Sequence, residues 1–152
     1  VTAFALDTNI LVYAEGVERA PSDRAKISRS QNLVVGLVTI RARIIAPAQV
    51  LAELHNVLRV RHRMTPAACS AKIGYWTGLF ELVPTGPAVL RDALDIAATA
   101  HLQIFDAIIL AAAAEAGCDL LVSEDFQDGF RWRGVTVTNP FGPAPDRRLP
   151  LG

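Results

Sequence analysis

Four carboxylic acids in this chain stand against apolar segments. Asp7 follows Ala3-Phe4-Ala5-Leu6, Glu53 lies within the apolar stretch Val50 to Leu58, Asp106 heads Ala107 to Ala114, and Asp125 follows Leu120-Leu121-Val122. Taking one carboxylate out of water costs several kcal/mol or raises its pKa. Gathering four of them requires positive charge. Lysine does not supply it, since the chain has only Lys26 and Lys72 and neither adjoins an acidic motif in sequence. A hard divalent cation, Mg²⁺ or Mn²⁺, takes oxygen ligands and resolves the conflict. One or two such ions could activate water and stabilise charge developing on phosphorus. Asn9 and Ser123 are neutral neighbours able to orient the acids or hold water. Each acid alone has an ordinary explanation. Asp106 suits a helix N-terminus, Asp7 a turn, Glu53 a helix surface and Asp125 a loop. Their joint placement is what points to a site.

These acids need elements to carry them. Thr2 to Leu6 reads as a strand, Thr8-Asn9 as a turn, and Ile10 to Ala14 as a short helix. Ser22 can cap a second helix from Asp23 towards Ala42. Ile44-Ile45-Ala46 is a short strand, and Pro47 suits the first turn of the next helix. There Val50, Leu51, Leu54, Val57 and Leu58 form one stripe with Glu53 on its border. Thr65-Pro66 starts a helix that runs to Phe80. Leu82-Val83 is a strand, Pro87 to Ala100 a helix, and residues 101 to 104 a connector. The segment from Phe105 to Ala116 is apolar nearly all round and so predicts a covered helix, ended by Gly117. Leu120 to Val122 and Val135 to Val137 are strands. Short apolar strands alternating with helices predict an α/β fold, a three-layer α/β/α sandwich around a short, mainly parallel sheet. Ligands gather at the carboxyl ends of strands in such sheets, which puts Asp7 and Asp125 on one rim.

At 152 residues, one domain is expected, spanning residues 1–141, with a Pro-rich and loosely ordered tail at 142–152. The chain is 51% hydrophobic, yet no segment approaches the ~20 apolar residues of a membrane span, and no signal-peptide pattern opens it. Cys69 and Cys118 lack metal-ligand spacing and read as cytosolic thiols. The formal net charge is +0, so no global field draws the protein to nucleic acid. Local clusters at Arg59, Arg61 and Arg63, and at Arg131 and Arg133 around Trp132, are candidate RNA contacts. His55, His62 and His101 form no ligand pair and read as surface or capping residues. Tyr75, Trp76 and Phe80 read as packing or dimer contacts. The Leu33 to Ile40 face is a candidate for a partner, a second subunit or plain core.

At four places the residues resemble PIN domains. Leu6-Asp7-Thr8-Asn9-Ile10-Leu11 looks like the opening motif, Glu53 in Val50-Leu51-Ala52-Glu53-Leu54 the second acid, Phe105-Asp106-Ala107-Ile108-Ile109 the third, and Ser123-Glu124-Asp125 the fourth. Asn139-Pro140-Phe141 resembles the ending of one bacterial toxin subgroup. Within the family the pattern is most similar to VapC-type toxins of type II toxin–antitoxin pairs. The resemblance implies a cytoplasmic, metal-dependent endoribonuclease that dimerises and is held inactive by an antitoxin. It implies that Asp7, Glu53, Asp106 and Asp125 bind Mg²⁺ or Mn²⁺ and that water attacks an RNA phosphodiester to leave a 5′-phosphate. Ser123 replaces the commoner threonine but keeps the hydroxyl, and Glu124 and Asp128 are further acids near the fourth position. Two other classes compete. A phosphatase on a similar sheet needs a second Asp where Asn9 stands, or an acid pair with a strand-end lysine. A non-catalytic RNA- or protein-binding module would not need all four acids.

Overall fold

β-branched and apolar runs too short for helices assemble into the central sheet. A computed structural model describes every residue from Val1 to Gly152. In chain order the elements are β1 (Ala3–Leu6), α1 (Thr8–Ala14), α2 (Asp23–Thr39), β2 (Arg43–Pro47), α3 (Ala48–Val60), α4 (Pro66–Leu79), β3 (Glu81–Val83), α5 (Pro87–Ala100), α6 (Ile104–Glu115), β4 (Leu120–Val122), β5 (Arg131–Trp132) and β6 (Val135–Thr138). The sheet has six strands in the order β3-β2-β1-β4-β6-β5. All neighbours are parallel except β5 and β6. The chain winds outward from β1 through β2 to β3, then returns to β4 on the other side of β1. Right-handed crossovers in opposite directions place their helices on opposite faces. The result is the expected three-layer α/β/α sandwich.

β1 and β4 lie at the centre and are buried along their whole length. They meet at the point where the winding reverses, where a crevice opens at the strand ends. α6 is covered as its composition predicts, with Ala107 to Ala113 all buried. Its end is set by Gly117 at φ +73°. The Gly117 N–H donates to the Ala114 carbonyl and the Cys118 N–H to the Ala113 carbonyl, a paired closure that satisfies the last free carbonyls.

Several boundaries differ from expectation. Thr8 and Asn9 form no separate turn. They open α1, because the Asp7 side chain accepts from the Thr8 N–H and caps the helix. Pro47 ends β2 and caps α3 instead of lying inside its first turn. β5 is an unforeseen two-residue strand, with Arg131 opposite Thr136 and Trp132 opposite Val135. Residues 142–152 hold no helix or strand, yet Leu149 is buried in the core and Pro150 lies against Gly36, where a Cβ would collide with the Pro150 carbonyl. No helix is long and apolar enough to cross a membrane.

Candidate metal centre

The register Leu6 to Val122 sets Asp7 beside Ser123 at the carboxyl ends of β1 and β4. The Asp7 N–H donates to the Val122 carbonyl at 3.0 Å, extending the ladder by one residue. Asp125 lies in the loop after β4, and Asp106 in the first turn of α6. One carboxylate oxygen from each of Asp7, Asp106 and Asp125 lies within 4.8 Å of the others. Glu53 stands outside this trio but is tied to it. Its Oε2 accepts from the Thr8 hydroxyl and its Oε1 from Gln49 Nε2 at 2.8 Å. Of the four acids read from the sequence, three converge and the fourth is one residue removed, joined through Thr8.

Neutral donors hold the trio. Asp7 is 2% exposed. It accepts from the Thr8 N–H at 2.7 Å and from Ser123 Oγ at 2.6 Å. Ser123 Oγ in turn accepts from the Asp125 N–H at 3.1 Å. Asn9 Nδ2 donates to Asp125 Oδ2 at 3.0 Å. Asn9 and Ser123, the two neutral neighbours, thus both hydrogen-bond to the acids.

The electrostatics are those of crowded carboxylates with no cation in direct contact. Burial pushes the Asp7 carboxyl up to about 7; the bonds from Ser123 and Thr8 oppose this, while Asp125 and Asp106 add to it. Burial, then the Asp125 and Glu53 charges, raise Asp106 to about 6. Asp125 is also raised, by desolvation and by Glu124, against the pull of Arg19 and Asn9. A cation reverses each of these shifts. The donors are oxygen only, a set that suits hard divalent ions. Opposed ligands of such an ion, at about 2.1–2.4 Å each, lie about 4.2–4.8 Å apart. The trio therefore fits one divalent cation.

A cleft of about 410 Å³ opens beside the acids, lined by His101, Leu102, Gln103, Asp106 and Asp125. His101 ends α5 in the left-handed conformation at φ 55°. Its position in the connector just before the Asp106 helix was the one available hint that it borders the site. Glu124 and Asp128 are engaged elsewhere. Glu124 accepts from Tyr13 Oη at 2.7 Å and pairs with Lys26 Nζ at 2.6 Å, and Asp128 Oδ1 accepts from the Asn139 N–H at 2.9 Å. Neither lysine adjoins an acidic motif in sequence, yet Lys26 on α2 reaches Glu124 in the fold, across 98 residues. The arginine clusters do not border the cleft. Arg59 Nη1 donates to the Met64 carbonyl at the end of α3. Arg131 and Arg133 flank Trp132 at the start of the β5–β6 hairpin, level with the first residues of β4 and β6 and so at the opposite rim. Arg133 pairs there with Asp92 at 2.7 Å and lies over the Trp132 ring.

A PIN domain family model matches residues 4–131. The chain belongs to the PIN domain family. This PIN domain is 30% identical over 121 residues to Ribonuclease VapC7 of Mycobacterium tuberculosis (strain ATCC 25618 / H37Rv), a match that covers 79% of this chain and 80% of that protein. Its fold is similar to a toxin-antitoxin complex from Klebsiella pneumoniae, with TM-score 0.64, 17% identity, and 93% of this chain and 98% of that chain covered. It is also similar to VapBC2 from Rickettsia felis, solved bound to a promoter DNA fragment, with TM-score 0.62, 17% identity, and 91% and 98% covered.

Proposed function

We propose that this PIN domain is a metal-dependent endoribonuclease and the toxin of a toxin–antitoxin pair. The observation that carries the reading is the convergence of Asp7, Asp106 and Asp125 oxygens within 4.8 Å of one another, unpaired with any lysine or arginine. The ribonuclease name of the relative and the toxin–antitoxin complexes among the structural neighbours support it.

Asp7, Asp106 and Asp125 would hold Mg²⁺ or Mn²⁺ directly, with Glu53 completing the site directly or through water. A divalent cation there supplies Lewis acidity towards a phosphodiester and acidifies water. Ser123 and the Thr8 N–H fix both oxygens of Asp7, so the deepest ligand has one orientation. Asn9 holds one oxygen of Asp125, Oδ2. Glu53, held by Thr8 and Gln49 at the edge of the site, would take a proton from attacking water. Attack at phosphorus with departure of the 3′ oxygen leaves a 5′-phosphate. Asp106 and Asp125 line the open cleft, where a single RNA strand would lie. Arg59, Arg61 and Arg63 at the end of α3 add attraction for the RNA backbone away from the cleft. Arg131 and Arg133, at the other rim, lie off that path.

The antitoxin has a surface to cover. On α2, Leu33, Val34 and Leu37 face the core, while Val35 (65% exposed) and Ile40 (56%) face solvent. Val35 borders a groove of about 290 Å³ with Tyr75, Trp76, Lys72 and Gln31. Trp76 is itself buried, stacked on Phe80 and donating to Glu15 at 2.8 Å. Leu90 and Leu94 on α5 and Phe105 on α6 are exposed apolar residues suited to a homodimer contact. The direct test is cleavage of single-stranded RNA with Mn²⁺ and with EDTA, together with thermal melting. Cleavage that survives EDTA, or a melting temperature indifferent to Mn²⁺, removes the metal from the reading.

A further inference from the structure

A site made of carboxylates must admit a polyanion. The cations around this one are nearly all committed. Lys26 is paired with Glu124 at 2.6 Å, Lys72 with Glu15 at 3.1 Å and Arg24 with Glu18 at 3.2 Å. Arg29 donates Nε to the Pro140 carbonyl at 2.6 Å. Arg19 differs. It is exposed and forms no ion pair with any carboxylate. Its Nη2 lies 3.4 Å from Asn9 Oδ1, and the amide of that same Asn9 holds Asp125. The guanidinium therefore stands one side chain away from the trio.

The surroundings hold Arg19 there without neutralising it. Asp23 Oδ2 accepts from the Arg19 N–H at 2.9 Å and from the Ala20 N–H at 3.1 Å, which pins the loop between α1 and α2. The guanidinium lies 5.4 Å from the centroid of the Tyr13 ring, and Tyr13 is itself fixed by its bond to Glu124. A guanidinium serving only as counter-charge would close on Asp125 as a bidentate pair. Asn9 takes that place instead and leaves most of the Arg19 donors open to solvent.

We infer that Arg19 grips an RNA phosphate adjacent to the scissile one and so sets the strand over the acids. A planar fork held on an aromatic face suits a phosphate oxygen pair. The inference rests on the RNA-cleaving reading of the same site and adds a substrate contact that neither the acids nor the other arginine clusters provide.

The test measures binding of a short, mixed-sequence single-stranded RNA by fluorescence anisotropy across a range of salt. It uses the 152-residue chain with Asp7→Asn in the background to prevent cleavage. Adding Arg19→Gln should weaken binding about tenfold at low salt and reduce the slope of log affinity against log salt by about 0.7. Arg19→Lys should keep the slope and recover part of the affinity, since it restores the charge but not the fork. In the chain with Asp7 intact, Arg19→Gln should raise KM for RNA with kcat held. Its melting shift with Mn²⁺ should be no smaller than that of the parent, a readout that loss of Asn9 and Asp125 positioning would move. An unchanged affinity and salt slope for Arg19→Gln overturns the inference and leaves the nuclease reading standing. A defect that saturating Mn²⁺ repairs also overturns it, since Arg19 would then act through the ligands. If the parent binds no RNA at any salt, the nuclease reading falls and this contact falls with it.

Discussion

The two rims of the sheet both carry charged side chains and treat them in opposite ways. At the amino-terminal rim, Arg43 at the start of β2 holds Glu81 at the start of β3 through two bonds of 2.8 and 2.9 Å, and Arg133 holds Asp92 at 2.7 Å. Arg43, Glu81, Arg133 and Asp92 thus each have an opposite partner and stay in contact with water. At the carboxyl-terminal rim, Asp7, Asp106 and Asp125 approach one another with only neutral donors between them. Exposed, paired charges add little to stability. Like charges brought together and partly desolvated cost stability and persist where a ligand repays it. The contrast between paired and unpaired acids, more than their number, separates surface from site.

Substitution at the deepest acid should break the contrast most. Asp7→Asn removes a proposed ligand, and cleavage should fall more than about a hundredfold, since losing even an outer-shell partner costs 10–100-fold. A folded Asp7→Asn chain with full activity would falsify the site. Next in size is pH. The folded Asp7 carboxyl sits at about 7 against an ordinary 3.8. A raised folded value means the stabilising contribution is complete below about 4 and is lost as pH climbs to about 7 and above. The metal-free protein should therefore be less stable at pH 8 than at pH 5 and melt at a lower temperature, with Asp7 contributing a loss on the order of 2–3 kcal/mol at most. Mn²⁺ should restore the difference at pH 8, and Asp7→Asn should abolish the part due to Asp7. A melting curve set that rises with pH through this window would contradict the assignment. Ser123→Ala should be milder, with a tenfold to about a hundredfold loss of cleavage from freeing Asp7 and the Asp125 N–H, read alongside a reduced Mn²⁺ melting shift. Arg133→Gln at the opposite rim should change stability by about 0.5 kcal/mol or less and leave cleavage as it was. A large cleavage defect there would mean the two rims are not as separate as their geometry states.

Asp7, Asp106 and Asp125 were legible in the sequence because each abuts a run apolar enough to be buried, and local burial is written in local composition. Glu53 was legible as an edge position on the α3 stripe, and the structure keeps it there, one residue off the trio. Lys26 with Glu124, and Arg19 with Asn9, were not legible. Nothing in a helix surface lysine or a turn arginine tells which side chain it will meet 98 residues on or 10 residues back. β5 escaped for a different reason, since two residues are too few to show any period.

Local runs determined the elements of this chain and the order in which they come, since helix and strand preference and apolar periodicity act over a few neighbours. Whether the acids meet was decided elsewhere. It depended on β4 returning to pair beside β1 in the register that sets Ser123 against Asp7, 116 residues apart. It depended as well on α6 docking with its first turn at that rim. Hydrogen-bond register and layer packing are long-range choices, and only the folded chain makes them.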